Sequence, residues 1–234
     1  MTADVKRFYA TVDVSGEAPY KILLDGKPAK TPGGGQQAIP TRALADAIAE
    51  EWRGQGPRLD LAAMVLTRTA NTVIDRIAPR RYEVIDDVAK YASNDLLSYR
   101  AETPETLVKR QTDTWDPWLD WVFQQTGARL KVANGIVHVE QDKSSLAAIR
   151  AAMETFDSFS LPALHAGVTI TGSAVLGLAF ARRVIGPDEV LAASQIDEDF
   201  QAERWGRDAE AETVRKNRLD ELRKARRLLD LLAG

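Results

Sequence analysis

The sequence predicts an α+β fold, with a small antiparallel β-rich N-terminal region followed by a mainly helical C-terminal region that contains one β-hairpin. Three observations support this class. Apolar and polar residues alternate near the N-terminus, which is typical of strands with one buried face. Apolar residues at helical spacing dominate from about residue 40 onward. At 234 residues, the chain is long enough to bury a sizeable core.

The first forty residues are predicted to form the short strands. Residues 8–14 alternate with a period of two, and residues 20–24 form a second apolar run. Asp25-Gly26 supplies the two residues with positive φ that a tight hairpin turn requires. After a glycine-rich loop, residues 36–39 are predicted to return as a third strand, which completes a minimal antiparallel sheet.

Helices are predicted from Thr41 onward, where a good N-cap residue precedes a stripe of apolar side chains. This first helix ends in the Gly/Pro-rich residues 54–59, which are the predicted joint between two domains. We therefore predict a β-rich domain over residues 1–57, which ends in a helix, and a mainly helical domain over residues 58–234.

The second domain is predicted to contain a series of further helices. One begins near Met64 and is stopped by Pro79, and another has Thr103 as its N-cap and Pro104 at its first position. A hairpin interrupts the helices at Asn134-Gly135, which alternating apolar residues flank on both sides. The other predicted helices cover approximately residues 82–92, 143–157, 171–185, 187–203 and 208–234.

The composition excludes several kinds of active site. The chain has no cysteine, which excludes disulfides, thiolate catalysis and sulfur-bound metals. His138 and His165 are the two histidines, too few for a His-rich metal site. We therefore expect no metal site.

Charge and hydropathy bear on the cellular location of the chain and on its association with membranes or nucleic acid. The formal net charge is −3 and the pI is about 5.6, which argues against attraction of the whole chain to nucleic acid or anionic membrane. The longest apolar stretch, residues 174–181, is far shorter than the roughly 20 residues that span a bilayer. We expect a cytoplasmic protein, unless a targeting peptide has been removed.

Two small-residue motifs suggest catalysis but lack the necessary context. Gly33-Gly34-Gly35 is not followed by the lysine and helix start of a phosphate-binding loop, so it predicts a flexible surface loop. Ser173 lacks the second glycine of a nucleophile elbow, and the small residues after it predict a tightly packed core helix. A hydrolase-like enzyme with a scattered site around Ser173 and His165 stays open as an alternative.

The strongest surface candidate is residues 196–206, which we call the acidic–aromatic segment. Its three successive carboxylates fan out over about 200° of a helix, so they cannot converge on one ion. Aromatic residues interleave with the acids, and aromatic anchors dominate the energetics of many interfaces. The predicted partner-binding residues are Asp197, Glu198, Asp199, Phe200, Glu203 and Trp205.

Two helical patterns have competing interpretations. Trp115, Trp118 and Trp121 recur at every third position, and we expect at least two of them to be buried. Residues 215–227 carry seven basic residues against two acids. They are predicted to form a solvated helix packed on the body or on a partner, while a nucleic-acid or membrane adaptor stays open as a second alternative.

Several short motifs, each weak alone, occur together in the order of one known family. They are Arg7-Phe8-Tyr9, Leu24-Asp25-Gly26-Lys27-Pro28 with Thr31-Pro32, Ala49-Glu50-Glu51-Trp52 with Gln55, Asn94-Asp95-Leu96-Leu97 with Tyr99-Arg100, Trp115-Asp116-Pro117, Thr171-Gly172-Ser173, and Asp197-Glu198 through Phe200-Gln201 to Trp205-Gly206. With these motifs the chain resembles the assembly chaperones of the F1-ATPase alpha subunit (ATP synthase assembly factor 2-like), as a bacterial member.

The resemblance implies no enzymatic activity and no cofactor. It implies a chaperone that shields the apolar surface of the free F1-ATPase alpha subunit until the beta subunit replaces it. Importance in the family attaches to the acids before Trp205-Gly206, where Asp197 stands in place of the expected glutamate, so Glu198 is the first candidate. Trp52 is expected to be structural. We expect a monomer when free, with no nucleic-acid partner and no membrane insertion.

Overall fold

The chain forms two small sheets and a series of helices in a computed structural model that describes residues 5–135, 137–206 and 208–234. The α+β class is confirmed. The strands are β1 (Val12–Val14), β2 (Ile22–Leu24), β3 (Lys27–Pro28), β4 (Tyr99–Arg100) and β5 (Ala133–Asn134). The α-helices are α1 (Arg42–Arg53), α2 (Val65–Thr72), α3 (Arg81–Ala89), α4 (Glu105–Thr126), α5 (Lys143–Glu154), α6 (Leu161–Thr171), α7 (Ala174–Ala181), α8 (Pro187–Ser194), α9 (Ile196–Trp205) and α10 (Ala209–Leu232).

Contacts divide the chain into two compact units. Unit 1 comprises residues up to 81 together with 158–162 and 227–234, and unit 2 comprises 82–157 and 163–226. Unit 1 extends beyond residue 57 because Leu59, Met64 and Leu66 are buried in the same core as the strands. The boundary of independently folding domains at residue 57 stays a prediction. No helix in the described ranges is long and apolar enough to cross a bilayer.

The sheet of unit 1 has the strand order β1-β2-β3 and is antiparallel throughout. Asp25 and Gly26 both have positive φ, at 49° and 75°, so the predicted hairpin turn is confirmed. The third strand is β3, which begins directly after this turn, and the prediction of a third strand at residues 36–39 is wrong. Ile39 instead forms an isolated bridge with Tyr20.

Helix α1 begins and packs as its sequence predicts. The Thr41 hydroxyl accepts a hydrogen bond from Leu44 N at 3.3 Å, which confirms the N-cap. Leu44 and Ile48 are fully buried on one stripe, and Trp52 lies a turn further along. The Tyr9 hydroxyl donates to the Trp52 carbonyl oxygen at 2.6 Å, so the last turn of α1 is tied to the segment before β1.

A side chain from α1 caps the next helix. The Glu51 carboxylate accepts hydrogen bonds from Leu66 N at 2.7 Å and from Thr67 N at 2.8 Å, at the start of α2. An anion at this position also interacts favourably with the helix dipole. The predicted stop at Pro79 is wrong, since π-helical and 3-10 turns over residues 73–80 connect α2 to α3. Pro79 is tolerated because it lies in the first turn of a new helical segment.

The glycine-rich loop of unit 1 is fastened by one carboxylate. Asp75 accepts from the Thr31 hydroxyl at 2.6 Å and from Gly33 N at 2.8 Å. A Cβ on Gly33 would meet the Asp75 carboxylate at 2.7 Å, so glycine is required for this approach. The loop therefore holds a side chain of its own chain where a phosphate-binding loop would hold phosphate.

Helix α7 forms the centre of unit 2, and all its residues are buried. A Cβ on Gly177 would lie 2.3 Å from the Val168 side chain and 2.8 Å from Val168 N, so α6 and α7 are in backbone contact there. The prediction of a tightly packed helix after Ser173 is confirmed.

Only one member of the tryptophan series lies in the core of unit 2. Trp115 is buried and donates from Nε1 to the Ala193 carbonyl oxygen at 2.7 Å, whereas Trp118 and Trp121 are half-exposed. The expectation of at least two buried tryptophans is wrong. Three-residue steps rotate by about 300° each, so the first and last rings diverge by about 120° around the helix.

Two local predictions in unit 2 are corrected by the structure. β5 pairs in parallel with β4, and residues 137–139 form no strand, so the predicted hairpin at Asn134-Gly135 is not seen in the described residues, which exclude Ile136. Gly135 N donates to the Arg100 carbonyl oxygen at 2.8 Å. Helix α4 begins at Glu105 with Pro104 at the N-cap, so the prediction of Thr103 as N-cap is wrong.

Candidate protein-binding site

The acidic–aromatic segment forms α9, and two apolar side chains fix its orientation in unit 2. Ile196 and Phe200, four residues apart, are both buried. The three successive acids occupy the first turn, where negative charge interacts favourably with the helix dipole. Gly206 has a φ of 88° and ends the helix. The remaining side chains of α9 are therefore presented along its partly or fully exposed faces.

Three of the four acids in this segment are engaged by side chains of unit 2. Asp197 accepts a hydrogen bond from Gln111 Nε2 at 2.6 Å. Asp199 forms an ion pair with Arg215 of α10 at 2.5 Å. Glu203 binds Arg110 of α4 in a bidentate pair at 2.8 and 2.9 Å, and this hydrogen bonding raises the pKa of Arg110. These three carboxylates attach α9 to its neighbours.

Glu198 is the exception among these acids. Its side chain is exposed and has no hydrogen bond or ion pair within the described residues. Trp205, near the end of the same helix, is 78% exposed. An exposed indole of this size is unusual on a surface with no binding role, because large aromatic side chains are mostly buried.

Glu198 and Trp205 both line a cleft of about 520 Å³ between α9 and α10. Val214 and Arg218 form the α10 side of the cleft. Gln195 also lines it, and its buried Oε1 accepts no hydrogen bond in the described parts of the chain. The Gln195 oxygen is closed off from solvent, so the groups that the cleft presents are a carboxylate without a partner in the described residues and an exposed aromatic ring, a set suited to a partner with donors and apolar groups.

The predicted site residues thus occupy different environments. The structure brings Glu198, Asp199 and Trp205 together at the cleft and places Glu203 at a neighbouring surface with Arg110. Phe200 is buried, with the Arg204 guanidinium 4.3 Å from the centre of its ring, so in the free chain it anchors the helix. The roles of these residues in binding a partner stay predictions.

Sequence reasoning missed Gln195 and the role of Arg215. Gln195 lies two residues before Asp197, the first of the three acids, and a polar residue just before the apolar Ile196 was the available signal. Arg215 was included only in the basic run of the C-terminal helix. The structure uses part of that run internally, since Arg215 pairs with Asp199 and Arg223 pairs with Asp188 at 2.8 Å.

The other candidate residues are arranged as parts of the fold. Ser173 is fully buried at the start of α7, where its hydroxyl accepts from Leu176 N at 3.0 Å and hydrogen-bonds Asp95. Asp95 also accepts from Leu97 N and Val175 N, and burial raises its pKa to about 6. His165 is exposed on α6. This geometry supports a helix cap rather than a nucleophile with an adjacent base.

Within residues 5–135, 137–206 and 208–234, no group of three or more His, Asp or Glu side chains is placed to hold a metal ion.

Comparison with known proteins defines the class as an α+β chaperone fold. A crystal structure of Atp12 from Paracoccus denitrificans is 44% identical to this chain with a TM-score of 0.92, and covers 97% of this chain and 98% of that chain. An aspartate-to-lysine mutant of P. denitrificans Atp12p is 43% identical with a TM-score of 0.93 over the same shares. The mitochondrial protein atp12 of Schizosaccharomyces pombe is 23% identical over 197 residues, which are 79% of this chain and 68% of the yeast protein.

Residues 6–123 also match the sequence profile of the family described as ATP12 chaperone protein. The chain belongs to the ATP12 chaperone protein family. The resemblance inferred from the short motifs is thereby confirmed.

Proposed function

We propose that the chain is an assembly chaperone of ATP synthase that binds the free F1-ATPase alpha subunit and prevents its aggregation until the beta subunit joins it. Membership of the ATP12 chaperone protein family supports the chaperone role. The choice of the alpha subunit rests on the family resemblance of the acidic–aromatic segment. Such a role requires a binding surface and no catalytic centre.

One observation carries the proposal most directly. On α9, Asp197, Asp199 and Glu203 are held by neighbouring side chains, while Glu198 and Trp205 face solvent without partners in the described residues. Glu198 contributes to the fold only through its interaction with the helix dipole, and Trp205 makes no hydrogen bond in the described residues. Their exposure supports a role in binding, and the cleft beside them supplies the concave surface that an interface needs.

The chemistry of the cleft specifies a positively edged, apolar patch on the partner. A lysine or arginine of the partner can pair with Glu198 and lie against the Trp205 ring. Charge pairs of this kind increase association rate and selectivity more than affinity, which suits a partner that must later be released.

Co-expression with the F1 alpha subunit tests the proposal. The wild-type chain should keep the alpha subunit soluble and co-purify with it. Glu198→Lys should abolish most co-purification, because it reverses the one unpaired carboxylate of the segment. Trp205→Ala should weaken binding by at least about 30-fold, the size expected for loss of 2 kcal/mol at an aromatic anchor.

Matched variants separate binding from folding. Glu221→Lys reverses an exposed acid of α10 that has no partner in the part of the chain that the structure describes, and Val184→Ala truncates an exposed apolar side chain. Both should co-purify as the wild type does. All four variants alter exposed positions, so their unfolding free energies should stay within about 0.5 kcal/mol of the wild type. Normal capture of the alpha subunit by Glu198→Lys would overturn the assignment of the site. Failure of the wild type to bind alpha would overturn the function.

A further inference from the structure

Unit 1 carries a pocket of its own beside the sheet. The pocket has a volume of about 440 Å³, within the size range of pockets that hold small ligands, and so accommodates one or two large side chains. Tyr9, Leu24, Ala29 and Trp52 line it, and all four are buried. The floor is therefore mainly apolar and aromatic. We call it the Phe8 pocket, after the residue at its edge.

The edge of the pocket exposes an aromatic ring that the fold does not bury. Phe8 lines the pocket and is 65% exposed. The centre of its ring lies 5.4 Å from that of Tyr9 in an edge-to-face arrangement. The rings of Tyr9 and Trp52 pack in the same way, also with their centres 5.4 Å apart. The three rings thus run from the exposed Phe8 to the buried Trp52. An apolar side chain bound in the pocket would cover the part of the Phe8 ring that now faces solvent.

The charged side chains around the pocket are two lysines and one aspartate. Lys27 and Lys30 are exposed, and neither makes a hydrogen bond or salt bridge in the described residues. The Asp25 carboxylate accepts from Thr11 N at 2.7 Å and from Ala10 N at 2.9 Å, and these hydrogen bonds, with a smaller contribution from the charge of Lys27, lower its pKa. The charged lining therefore carries a net positive charge.

The side chain of Trp52 belongs to the apolar lining. Its Nε1 has no acceptor in the described part of the chain, but this atom is closed off from solvent, so the residue offers its ring rather than its N–H to an occupant. The pocket therefore offers aromatic rings and a net positive charge. It complements an occupant with carbonyl or carboxylate oxygens.

The sheet edge beside the pocket disfavours binding by strand addition. β3 is the edge strand and is two residues long, with Lys27 and Pro28. Proline has no backbone N–H to donate, and lysine on an edge disfavours pairing with another strand. An occupant would therefore be held by its side chains rather than by a ladder of backbone hydrogen bonds.

We propose that the Phe8 pocket docks a polypeptide partner through a large apolar side chain flanked by carboxylates. The apolar side chain enters between Phe8 and Trp52, and the carboxylates pair with Lys27 and Lys30. This chemistry is opposite in charge to that of the acidic–aromatic segment, so the two surfaces recognise different sequences. The proposal is independent of the identity of the partner bound by α9.

Fluorescence anisotropy with two labelled peptides tests the charge preference. One peptide has a central phenylalanine with two glutamates on each side, and the other has lysines in place of the glutamates. The full chain should bind the glutamate peptide at least tenfold more tightly than the lysine peptide at low ionic strength. Raised salt should weaken this binding, because the lysine–carboxylate pairs are exposed.

Variants of the pocket then test its location. Phe8→Ser and the double variant Lys27→Glu, Lys30→Glu should each weaken binding of the glutamate peptide at least tenfold. The controls Val184→Ser and Lys143→Glu change an exposed apolar residue and an exposed lysine outside the pocket, and they should bind as the wild type does. Unchanged binding by the pocket variants, or equal binding of both peptides, would overturn the proposal.

A spectroscopic readout locates the occupant directly. The five tryptophan indole N–H resonances can be assigned by single substitutions, and the glutamate peptide should move the resonance of Trp52. Movement of Trp205 alone would place the peptide at the acidic–aromatic segment and overturn the proposal. A dimer in sedimentation that Phe8→Ser dissociates would also overturn it, since a second copy of the chain would then occupy the pocket.

Discussion

The backbone contact between α6 and α7 leads to a stability prediction for Gly177→Ala. A Cβ on Gly177 would lie 2.3 Å from Val168 Cγ2, 2.8 Å from Val168 N and 2.9 Å from Val168 Cα. Rotation of the valine side chain could relieve the first contact. It could not relieve the other two, because they involve backbone atoms. The substitution therefore forces the two helices apart.

Two opposing effects set the size of the change in unfolding free energy. Alanine in place of glycine in a helix normally stabilises by about 1 kcal/mol. Carbon atoms in contact are normally about 3.5–4.0 Å apart. The new Cβ and the backbone Cα of Val168, which would be 2.9 Å apart, must therefore separate by roughly 0.6–1.1 Å. Overpacking of a core costs about 1–3 kcal/mol, and contact with backbone favours the upper part of that range. We expect a net loss of about 1–2 kcal/mol.

Urea unfolding followed by tryptophan fluorescence measures this loss. Unit 2 contains Gly177 and four of the five tryptophans, so the signal reports mainly on that unit. With a urea dependence of roughly 2–3 kcal/mol per molar, the midpoint should fall by about 0.3–1 M. Gly56→Ala is the control, because a Cβ there meets no atom within 4 Å, and circular dichroism should show an unchanged or raised midpoint. A midpoint for Gly177→Ala at or above the wild-type value would refute the close packing.

Two further predictions concern buried and capping carboxylates. Since burial raises the folded-state pKa of Asp95 to about 6, the folded chain keeps a proton between about pH 4 and 6 that the unfolded chain has released. This carboxyl should therefore lower the unfolding free energy by roughly 3 kcal/mol as pH rises through that window, and a flat difference curve between wild type and Asp95→Asn would contradict this. Glu51→Gln should cost about 1–2 kcal/mol, because an amide cannot accept at both ends from the start of α2. Glu50→Gln, which affects only an exposed pair with Arg53, should cost less than 0.5 kcal/mol, and equal losses in urea unfolding would refute the capping role.

Elements specified by neighbouring residues could be predicted from the sequence. The turn at Asp25-Gly26 depends on the positive φ that these two residues tolerate, and the start of α1 depends on the Thr41 hydroxyl. The segment at Asn134-Gly135 carries an equally strong local signal. Its outcome differs because β5 pairs with β4, more than thirty residues earlier, and alternation does not reveal a distant parallel partner.

The candidate site shows the same limit. The sequence located the acidic–aromatic segment, but it could not separate paired acids from unpaired ones. Asp197 is engaged by a residue 86 positions away, and Glu203 by one 93 positions away. Ionised side chains in an amphipathic helix look alike in sequence whether a distant residue neutralises them or not. Only the fold identifies Glu198 as the unpaired acid of α9.

The motifs behind the family resemblance fall into two groups in the structure. Asp25, Glu51 and Asp95 accept hydrogen bonds from backbone N–H groups of their own unit, so the stability of the fold is sufficient reason for them. Glu198 and Trp205 differ, because neither side chain makes a hydrogen bond or ion pair in the described structure, and Glu198 contributes to the fold only through its interaction with the helix dipole. Substitutions in the first group should lower the unfolding free energy, and substitutions in the second group should weaken partner binding while the chain stays folded. This division makes an α9 variant that stays folded but no longer binds the decisive one for function.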